Sequence, residues 1–161
     1  MALHSDNERH GPVSTNELKM AVVFIVVPIA SGAIVYVGWR STDLLVFDWL
    51  AWLGIPEDVF RPDIQLPRWL LYSFPDGCWV FAGTSWMLLI WRRLHAWVYI
   101  FAVLGIGGEI GQGLGYVPGT FDWNDISFYV GGFLLSYLGY EYAKTRFIDG
   151  RFTGHGGACC G

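Results

Sequence analysis

The run MAVVFIVVPIASGAIVYVGW, residues 20–39, contains no charged side chain. A hydrocarbon core about 30 Å thick is crossed by about 20 residues of helix, so this run is long enough to span a bilayer. The rest of the chain agrees with it, because 53% of the 161 residues are hydrophobic, 17% are aromatic and only 15% are charged. Tryptophan and tyrosine favour the membrane interface. The sequence therefore predicts an integral membrane protein of one domain.

Three further apolar runs predict an all-α, four-helix membrane bundle. The expected spans are residues 20–39, 75–92, 94–114 and 125–143. One transmembrane domain then covers residues 20–144, with a polar leader at residues 1–19 and a tail containing Gly and Cys at residues 145–161. Because no small-residue cleavage site follows the first run, we expect it to be a retained anchor rather than a signal peptide.

The segment between the first two spans is too long for a simple turn. Residues 44–53 and residues 66–74 are apolar runs that contain Trp or Tyr but are too short to cross a bilayer. We expect both to be short helices at the outer interface, where an aromatic ring lies at the acyl boundary. The alternative is a small extracytoplasmic cap that packs on the helix ends.

Basic residues set the expected orientation, because Lys and Arg near span ends stay preferentially in the cytoplasm. With both termini inside, the cytoplasmic basic residues are Arg9, Lys19, Arg92, Arg93, Lys144, Arg146 and Arg151. Only Arg40, Arg61 and Arg68 are then outside. We therefore expect a multi-pass protein with both termini in the cytoplasm. A nucleic-acid partner is not expected, since the formal net charge is −4.

Glycines dominate the end of the third span, which reads GIGGEIGQGLG at residues 105–115. Each Gly weakens an isolated helix by about 1 kcal/mol relative to Ala, so this density indicates close packing. The expected packing residues are Gly107, Gly111 and Gly115 on the third span, and Gly132, Ser136 and Gly139 on the fourth. The connection between these spans is short and rich in turn formers, so a tight antiparallel hairpin is expected.

Glu109 is the candidate functional residue, because a carboxylate within a span costs roughly 2.5 kcal/mol or more to insert. Gln112 is three residues later and so lies on the same helical face. The second span begins with Asp76 at the side of the membrane where the third ends, and the fourth begins there with Asp122 and Asp125. The sequence therefore predicts an acidic site at the outer end of the bundle.

Two structural explanations for these residues stay open. The aspartates at the starts of the spans are also ordinary helix-capping residues, where negative charge suits the helix dipole. An arginine can also neutralise Glu109, and Arg68 is the nearest candidate in sequence. In either case the acids stabilise the fold and bind no ligand.

The spacing of these residues resembles the signature of the VanZ-like membrane proteins. Glu109-x-x-Gln112 ends one span, Asp125 opens the next after thirteen residues, and Gly132 follows seven positions later. The resemblance covers residues 75–140. VanZ-like proteins are small, multi-span bacterial membrane proteins of unsettled biochemical activity, named for a protein that accompanies glycopeptide-resistance genes and confers low-level teicoplanin resistance. The resemblance implies a bacterial cytoplasmic membrane protein.

Two positions depart from the family pattern. The usual Arg six residues before the Asp is Gly119 here, and the usual Asn four residues after it is Tyr129. Loss of the Arg leaves the site more acidic than the pattern implies, and Asn124 or Tyr129 is expected to replace the missing Asn in part. The expected ligand-binding residues are Glu109, Gln112, Asp125, Asp122, Asp76 and Tyr129.

The leading functional hypothesis is a VanZ-like protein whose acidic outer-leaflet site binds an envelope or lipid-linked molecule. Binding is favoured over catalysis, because the sequence contains no obvious nucleophile or oxyanion donor set. One alternative is a non-catalytic accessory or assembly subunit of a larger membrane complex, and another is cation-coupled transport by a homo-oligomer. The expected partners are membrane lipids, a lipid-linked envelope precursor, and either further copies of this chain or the subunits of a larger membrane complex.

No cofactor or metal is expected. The sequence contains no Gly-Lys-Ser/Thr phosphate loop, no H-E-x-x-H and no G-x-S-x-G. Cys159 and Cys160 lie near His155 and together could hold a soft metal ion, but adjacent cysteines on one chain are a poor source of tetrahedral ligands. A cytoplasmic location keeps such thiols reduced.

Cysteine substitutions at Ser41 and Thr120 test the orientation, in a background in which the three native cysteines are replaced by serine. Both positions lie in outer connections, so a membrane-impermeant maleimide is expected to label both in intact cells. The matched control is Arg93→Cys in the inner connection, which should react only after permeabilisation. Labelling of the two outer positions from the cytoplasm alone would overturn the assignment.

Overall fold

The computed structural model describes residues 15–39, 45–54 and 63–147, and every regular element within these ranges is helical. The predicted all-α class is confirmed for this part of the chain. Most of the predicted leader lies outside the described residues, and so do Arg40, Arg61 and the tail that carries Cys159 and Cys160.

Five helices follow one another along the described chain. The first, α1, combines Thr15–Ala21, a π-helical turn at Val22–Val26, and Val27–Trp39. It is followed by α2 (Leu45–Trp52) and α3 (Arg68–Trp91). Then come α4, which is a 3-10 turn at Ala96–Tyr99 continued by Ile100–Gly113, and α5 (Trp123–Phe147).

The π-helical turn in α1 precedes a proline inside the helix. In a regular helix the ring of Pro28 would meet the carbonyl of Phe24, and Pro28 has no N–H to donate. The wider turn lets the N–H of Val27 bond to the carbonyl of Val22, one residue further back than usual. Helix α1 therefore continues through the proline to Trp39.

One helix in the described ranges is long and apolar enough to cross a membrane. It is the segment Leu18–Trp39, in which 11% of the most apolar window is buried inside the protein. No other helix in these ranges combines the length and the mean hydropathy of a span. The first span is thus supported by length and composition, and the other three spans stay a prediction.

Helix α3 lies at the centre of the bundle, where it contacts α1, α4 and α5. Its contacts with α1 and with α5 are equally extensive, and both exceed its contacts with α4. The buried apolar side chains form two clusters. The first contains Met20, Leu88, Val98, Tyr140 and Ala143, and the second contains Val80, Ala102 and Tyr129. The predicted hairpin of α4 and α5 is therefore only part of the packing, because α5 has a larger partner in α3.

The segment before Pro75 corrects one prediction. Residues 66–74 do not form a separate interfacial helix, because α3 begins at Arg68 and continues through Pro75. Pro75 is buried against Gly32 of α1, where a Cβ on the glycine would lie 3.3 Å from the Pro75 Cα. A proline inside a helix lacks the N–H for one backbone hydrogen bond and usually kinks or interrupts the helix. Here Pro75 packs against α1, and the helix continues through it. Residues 44–53 do form a short helix, α2, and its position at a membrane interface stays a prediction.

Small residues join α3 and α5. A Cβ placed on Gly132 would lie 2.5 Å from the carbonyl oxygen of Gly77, so only glycine fits there. One turn further along α5, the hydroxyls of Ser136 and Ser85 share a buried hydrogen bond of 2.8 Å. The predicted packing residues Gly132 and Ser136 thus contact α3, whereas the expected partner was the third span.

The remaining predicted packing glycines have other surroundings. Gly139 faces the ring of Phe24 in α1, and Gly111 faces Val117 in the loop that follows its own helix. A Cβ on Gly107 or on Gly115 would meet nothing within 4 Å, and Gly115 ends α4 with a φ of +76°. Within the described ranges, no atom therefore lies close to where a side chain at Gly107 or Gly115 would begin.

Adjacent glycines of α5 provide a matched test of the α3–α5 contact. Gly132→Ala is expected to lower the free energy of unfolding by about 1–3 kcal/mol, because the added methyl group meets backbone. Gly131→Ala is the control, since its Cβ meets nothing within 4 Å, and it should raise stability by about 0.5–1 kcal/mol. Unfolding in detergent micelles measures both, and equal effects would contradict the contact.

Candidate functional site

The predicted acids meet at one end of the bundle. Helices α3 and α5 begin at this end and α4 ends there, so Asp76, Glu109 and Asp125 are brought together from three helices. The contacts that connect them pass through Asp122 and Tyr129. Five of the six predicted ligand-binding residues therefore belong to one neighbourhood.

Glu109 is buried, with 4% of its surface exposed. Its Oε2 accepts a hydrogen bond of 3.0 Å from the backbone N–H of Asp122. Within the described ranges this amide is its only hydrogen-bond partner, although a carboxylate can accept about four. Arg68, the nearest in sequence of the three arginines expected on the outer side, is exposed and does not pair with it. Glu109 is thus a buried acid with no basic partner among the described residues.

Asp122 caps the start of α5. Its Oδ1 accepts a hydrogen bond of 2.8 Å from the backbone N–H of Asn124. Its carbonyl oxygen accepts a longer bond of 3.5 Å from the N–H of Ile126. This is the capping role that the sequence left open as an alternative. Because its own N–H bonds to Glu109, Asp122 connects the cap of α5 to the end of α4.

Tyr129 connects α5 to α3. Its side chain is 8% exposed, and its hydroxyl donates a hydrogen bond of 3.3 Å to Oδ2 of Asp76. The family pattern has Asn at this position. The phenol reaches across the helix contact that the small Gly77 and Gly132 allow. Tyr129 therefore holds Asp76 in place and supplies a hydroxyl to the acidic site.

Asp125 has a buried oxygen without a partner. Its Oδ1 has no hydrogen bond among the described residues, and it has essentially no exposed surface. Asp125 lies four residues before Tyr129 and therefore on the same face of α5. An unsatisfied buried oxygen costs roughly 1–3 kcal/mol, more when it is charged, so a donor brought by a ligand would be favourable here.

Gln112 and Gly119 are in contact, and the Gln112 side chain leaves no room for a side chain at position 119. The side chain of Gln112 lies over Gly119, and a Cβ on that glycine would come 2.6 Å from the Gln112 Cδ. Gly119 also has a φ of +140°, a conformation that other residues rarely adopt. Position 119, where the VanZ-like pattern has Arg, therefore requires glycine in this chain. Gln112 packs on the loop, and the structure gives it no hydrogen bond to the acids.

A groove between α1, α3 and α5 was not directly predicted from the sequence. Its volume is about 500 Å³. Cys78 is half-buried and lines the groove with Phe74 and Phe128. The paired glycines Gly131 and Gly132 were the only sequence signal for it, and their meaning depended on knowing that α3 is the neighbouring helix.

Comparisons with models of protein families, with curated proteins and with solved structures found no match to this chain. The resemblance to VanZ-like proteins therefore rests on the spacing of the residues alone. Among the residues that the structure describes, no group of three or more His, Cys, Asp or Glu side chains could hold a metal ion.

The hydrogen bond from Asp122 to Glu109 predicts a local effect of mutation. Glu109→Leu removes the acceptor, so exchange of the Asp122 amide hydrogen should become at least about tenfold faster, which corresponds to about 1.4 kcal/mol. Glu109→Gln keeps a carbonyl acceptor, so its Asp122 amide should exchange more slowly than in Glu109→Leu and closer to the wild-type rate. Hydrogen exchange followed by NMR in detergent measures both variants, and identical rates would show that the bond is not formed.

Proposed function

We propose that this protein is a VanZ-like integral membrane protein that binds a membrane-confined envelope molecule, such as a lipid-linked precursor, at its acidic site. The observation that carries the proposal is the burial of Glu109 without a basic partner among the described residues. A structural acid is normally paired when it is buried, since an unpaired buried charge is costly. The remaining acceptor capacity of Glu109 and Asp125 is available to a ligand.

Exposed apolar side chains support the four-span arrangement. Large apolar residues on α3, α4 and α5 are open to the surroundings of the bundle, namely Trp86, Ile90, Val103, Leu104, Leu134, Leu135 and Leu138. A surface of this kind is unfavourable in water and favourable in lipid. Together with the span in α1, it favours a bundle that is embedded over its whole length.

Charged residues at the two ends of the bundle support an orientation with both termini in the cytoplasm. Lys19, Arg92, Arg93 and Lys144 lie near the ends of α1, α3 and α5 that pack around Met20 and Tyr140. The acids lie at the opposite end. By the preference of basic residues for the cytoplasm, the acidic site faces the outer leaflet of a bacterial cytoplasmic membrane.

Binding explains the arrangement better than catalysis. The Tyr129 hydroxyl is the nearest candidate nucleophile, and it donates its hydrogen to Asp76 in a buried position. The backbone N–H of Asp122 is already bonded to Glu109 and so does not serve as an oxyanion donor. The groups that remain are acceptors, which suit a ligand that carries N–H or O–H donors.

A role as an accessory subunit is the second candidate. Gly107 and Gly108 leave open space on α4, beside the exposed Val103 and Leu104. A helix of another membrane protein can approach closely at such a position. If this role is correct, mild detergent extraction should recover a stoichiometric partner with the protein.

Substitution of Glu109 tests the proposed function. Glu109→Gln keeps the acceptor for Asp122 but removes the charge, so a folded and inserted protein should lose its cellular effect. The measurement is the teicoplanin susceptibility of a host that expresses the protein, because the family resemblance points to that phenotype. The wild type is expected to lower susceptibility, and Glu109→Gln is expected to return it to that of the empty vector.

Glu141→Gln is the matched control. Glu141 is the other glutamate within the predicted spans, and it lies towards the opposite end of α5. This variant makes the same chemical change away from the site and should behave as the wild type. Equal effects of the two variants, or an unchanged effect of Glu109→Gln at full expression, would rule out the site.

A further inference from the structure

The α3–α4 turn, residues 91–97, combines basic and aromatic side chains on one exposed surface. It reads WRRLHAW and contains Arg92, Arg93 and His95 between two tryptophans. All of its residues are exposed except His95, which is half-buried. Guanidinium groups favour water and anions, whereas Trp and Leu side chains favour an apolar neighbour. A surface that mixes the two suits the boundary between water and hydrocarbon.

Arg92 ends α3 in a left-handed backbone conformation. Its φ is 53°, a conformation in which glycine is the usual residue at the end of a helix. The backbone N–H of Arg92 donates a hydrogen bond of 2.8 Å to the carbonyl oxygen of Leu88 and closes the last turn of α3. Glycine would make the same backbone bond with less strain, so the helix end does not by itself account for an arginine here.

Two contacts hold His95 in one orientation. Its ring stacks on that of Trp91, with centroids 4.1 Å apart and planes 4° from parallel. Its Nδ1 accepts a hydrogen bond of 3.4 Å from the backbone N–H of Trp97 at the start of α4. A neutral imidazole that accepts at Nδ1 carries its hydrogen on Nε2. His95 therefore has an oriented N–H, to which no described residue bonds.

Basic residues predominate on the helix ends around this turn. A buried cluster that includes Met20, Leu88, Val98 and Tyr140 brings together the start of α1, the end of α3, the start of α4 and the end of α5. Among the described residues, these ends carry the acids Glu17 and Glu141 and the basic residues Lys19, Arg92, Arg93, Lys144 and Arg146. This excess of positive charge attracts an anion.

The α3–α4 turn also lies where the exposed apolar surface of the bundle ends. Ile90 directly precedes it and is 58% exposed, and Val103 follows it on α4 and is 61% exposed. In the proposed membrane arrangement these side chains face hydrocarbon, so the turn lies at the level of the lipid headgroups. At that level Trp91 and Trp97 can contact the acyl boundary while the basic groups contact phosphate.

A lipid phosphate matches both parts of this surface. Guanidinium and imidazole N–H groups are donors that suit phosphate oxygens. A soluble phosphate or an acidic peptide would satisfy the charge but would bring no hydrocarbon to the exposed Trp91, Leu94 and Trp97. An anionic lipid supplies the phosphate and the acyl chains in one molecule, and the surrounding membrane is its source.

We propose that the α3–α4 turn binds the phosphate headgroup of an anionic membrane lipid, at the end of the bundle opposite the acidic site. Arg93 supplies positive charge and His95 supplies the oriented N–H, while Trp91 and Trp97 contact the first carbons of the acyl chains. The inference goes beyond the proposed function, because its binding residues are different. The two share only the embedding of the bundle in a membrane.

Native mass spectrometry of the full chain in mild detergent tests this occupant. The probes are phosphatidylglycerol and phosphatidylcholine with identical acyl chains, added at equal concentrations. Each headgroup contains one phosphate, but only phosphatidylglycerol has a net negative charge. Phosphatidylglycerol adducts are expected to be more abundant than phosphatidylcholine adducts. Equal abundance would overturn the proposal, because the acyl chains alone would then explain binding.

Two arginine variants form the matched pair. Arg93→Gln should lower the affinity for phosphatidylglycerol by about fivefold, which corresponds to the roughly 1 kcal/mol that a basic residue contributes near an anionic headgroup. Arg68→Gln makes the same chemical change at an exposed arginine at the other end of α3, so it should leave this affinity unchanged. Equal effects of the two variants would show that the lipid does not bind at the turn.

His95→Phe tests the N–H donor separately from the ring. Phenylalanine keeps an aromatic ring that can stack on Trp91, but it has no N–H for a phosphate. The preference for phosphatidylglycerol over phosphatidylcholine should therefore fall. An equal loss of both lipids would show that His95 only supports the shape of the turn and would contradict its assignment as a donor. Circular dichroism and a monodisperse elution profile establish that each variant is folded.

Two further outcomes would replace the lipid by another occupant. Inorganic phosphate in excess is not expected to displace phosphatidylglycerol, because it has no acyl chains. Displacement would overturn the proposal in favour of a soluble anion. A stoichiometric acidic protein that stays bound to the wild type, is lost from Arg93→Gln and excludes the lipid would overturn it in favour of a protein interface.

The lipid measurement and the teicoplanin assay report on opposite ends of the bundle. A preference for phosphatidylglycerol that depends on Arg93, in a protein whose cellular effect survives Glu109→Gln, supports this inference and contradicts the proposed function. A requirement for Glu109 without any preference between the two lipids has the opposite meaning.

Discussion

Helices α3 and α5 approach so closely at Gly77 and Gly132 that a single methyl group would separate them. Several features depend on that distance. The Ser85–Ser136 hydrogen bond and the bond from Tyr129 to Asp76 both join the same two helices. The groove owes its floor to the same glycines. Close packing of this kind brings the two helices within van der Waals contact and within reach of interhelical hydrogen bonds.

Glu109 makes a hydrogen bond between two elements of the bundle and is also the candidate binding residue. Its bond to the Asp122 amide joins the end of α4 to the start of α5. A carboxyl group that is taken out of water is costly unless its oxygens are hydrogen-bonded, and this bond uses only part of its acceptor capacity. The proposed ligand site at Glu109 rests on that remaining capacity.

Two positions differ from the VanZ-like pattern that the spacing resembles, and each has its own structural surroundings. Gly119 has a backbone conformation suited to glycine, and Gln112 occupies the space above it. An arginine there would need a different loop. Tyr129 replaces an amide by a hydroxyl that donates to Asp76. Gly119 leaves the site without the guanidinium that the pattern would supply, whereas Tyr129 exchanges one neutral side chain for another.

The sequence by itself predicted the helical class, a first helix long and apolar enough to cross a membrane, and an acid at Glu109 among apolar residues, because hydrophobic runs and an ionisable residue within them are local properties. It also identified Asp122 and Asp125 at the start of α5. Only the tertiary structure decided that α3 begins at Arg68, that Gly132 contacts α3, and that a groove lies beside Cys78. The physical reason is that a glycine or an acid has the same local pattern whichever helix it faces, and the partner is chosen by the packing of the whole bundle.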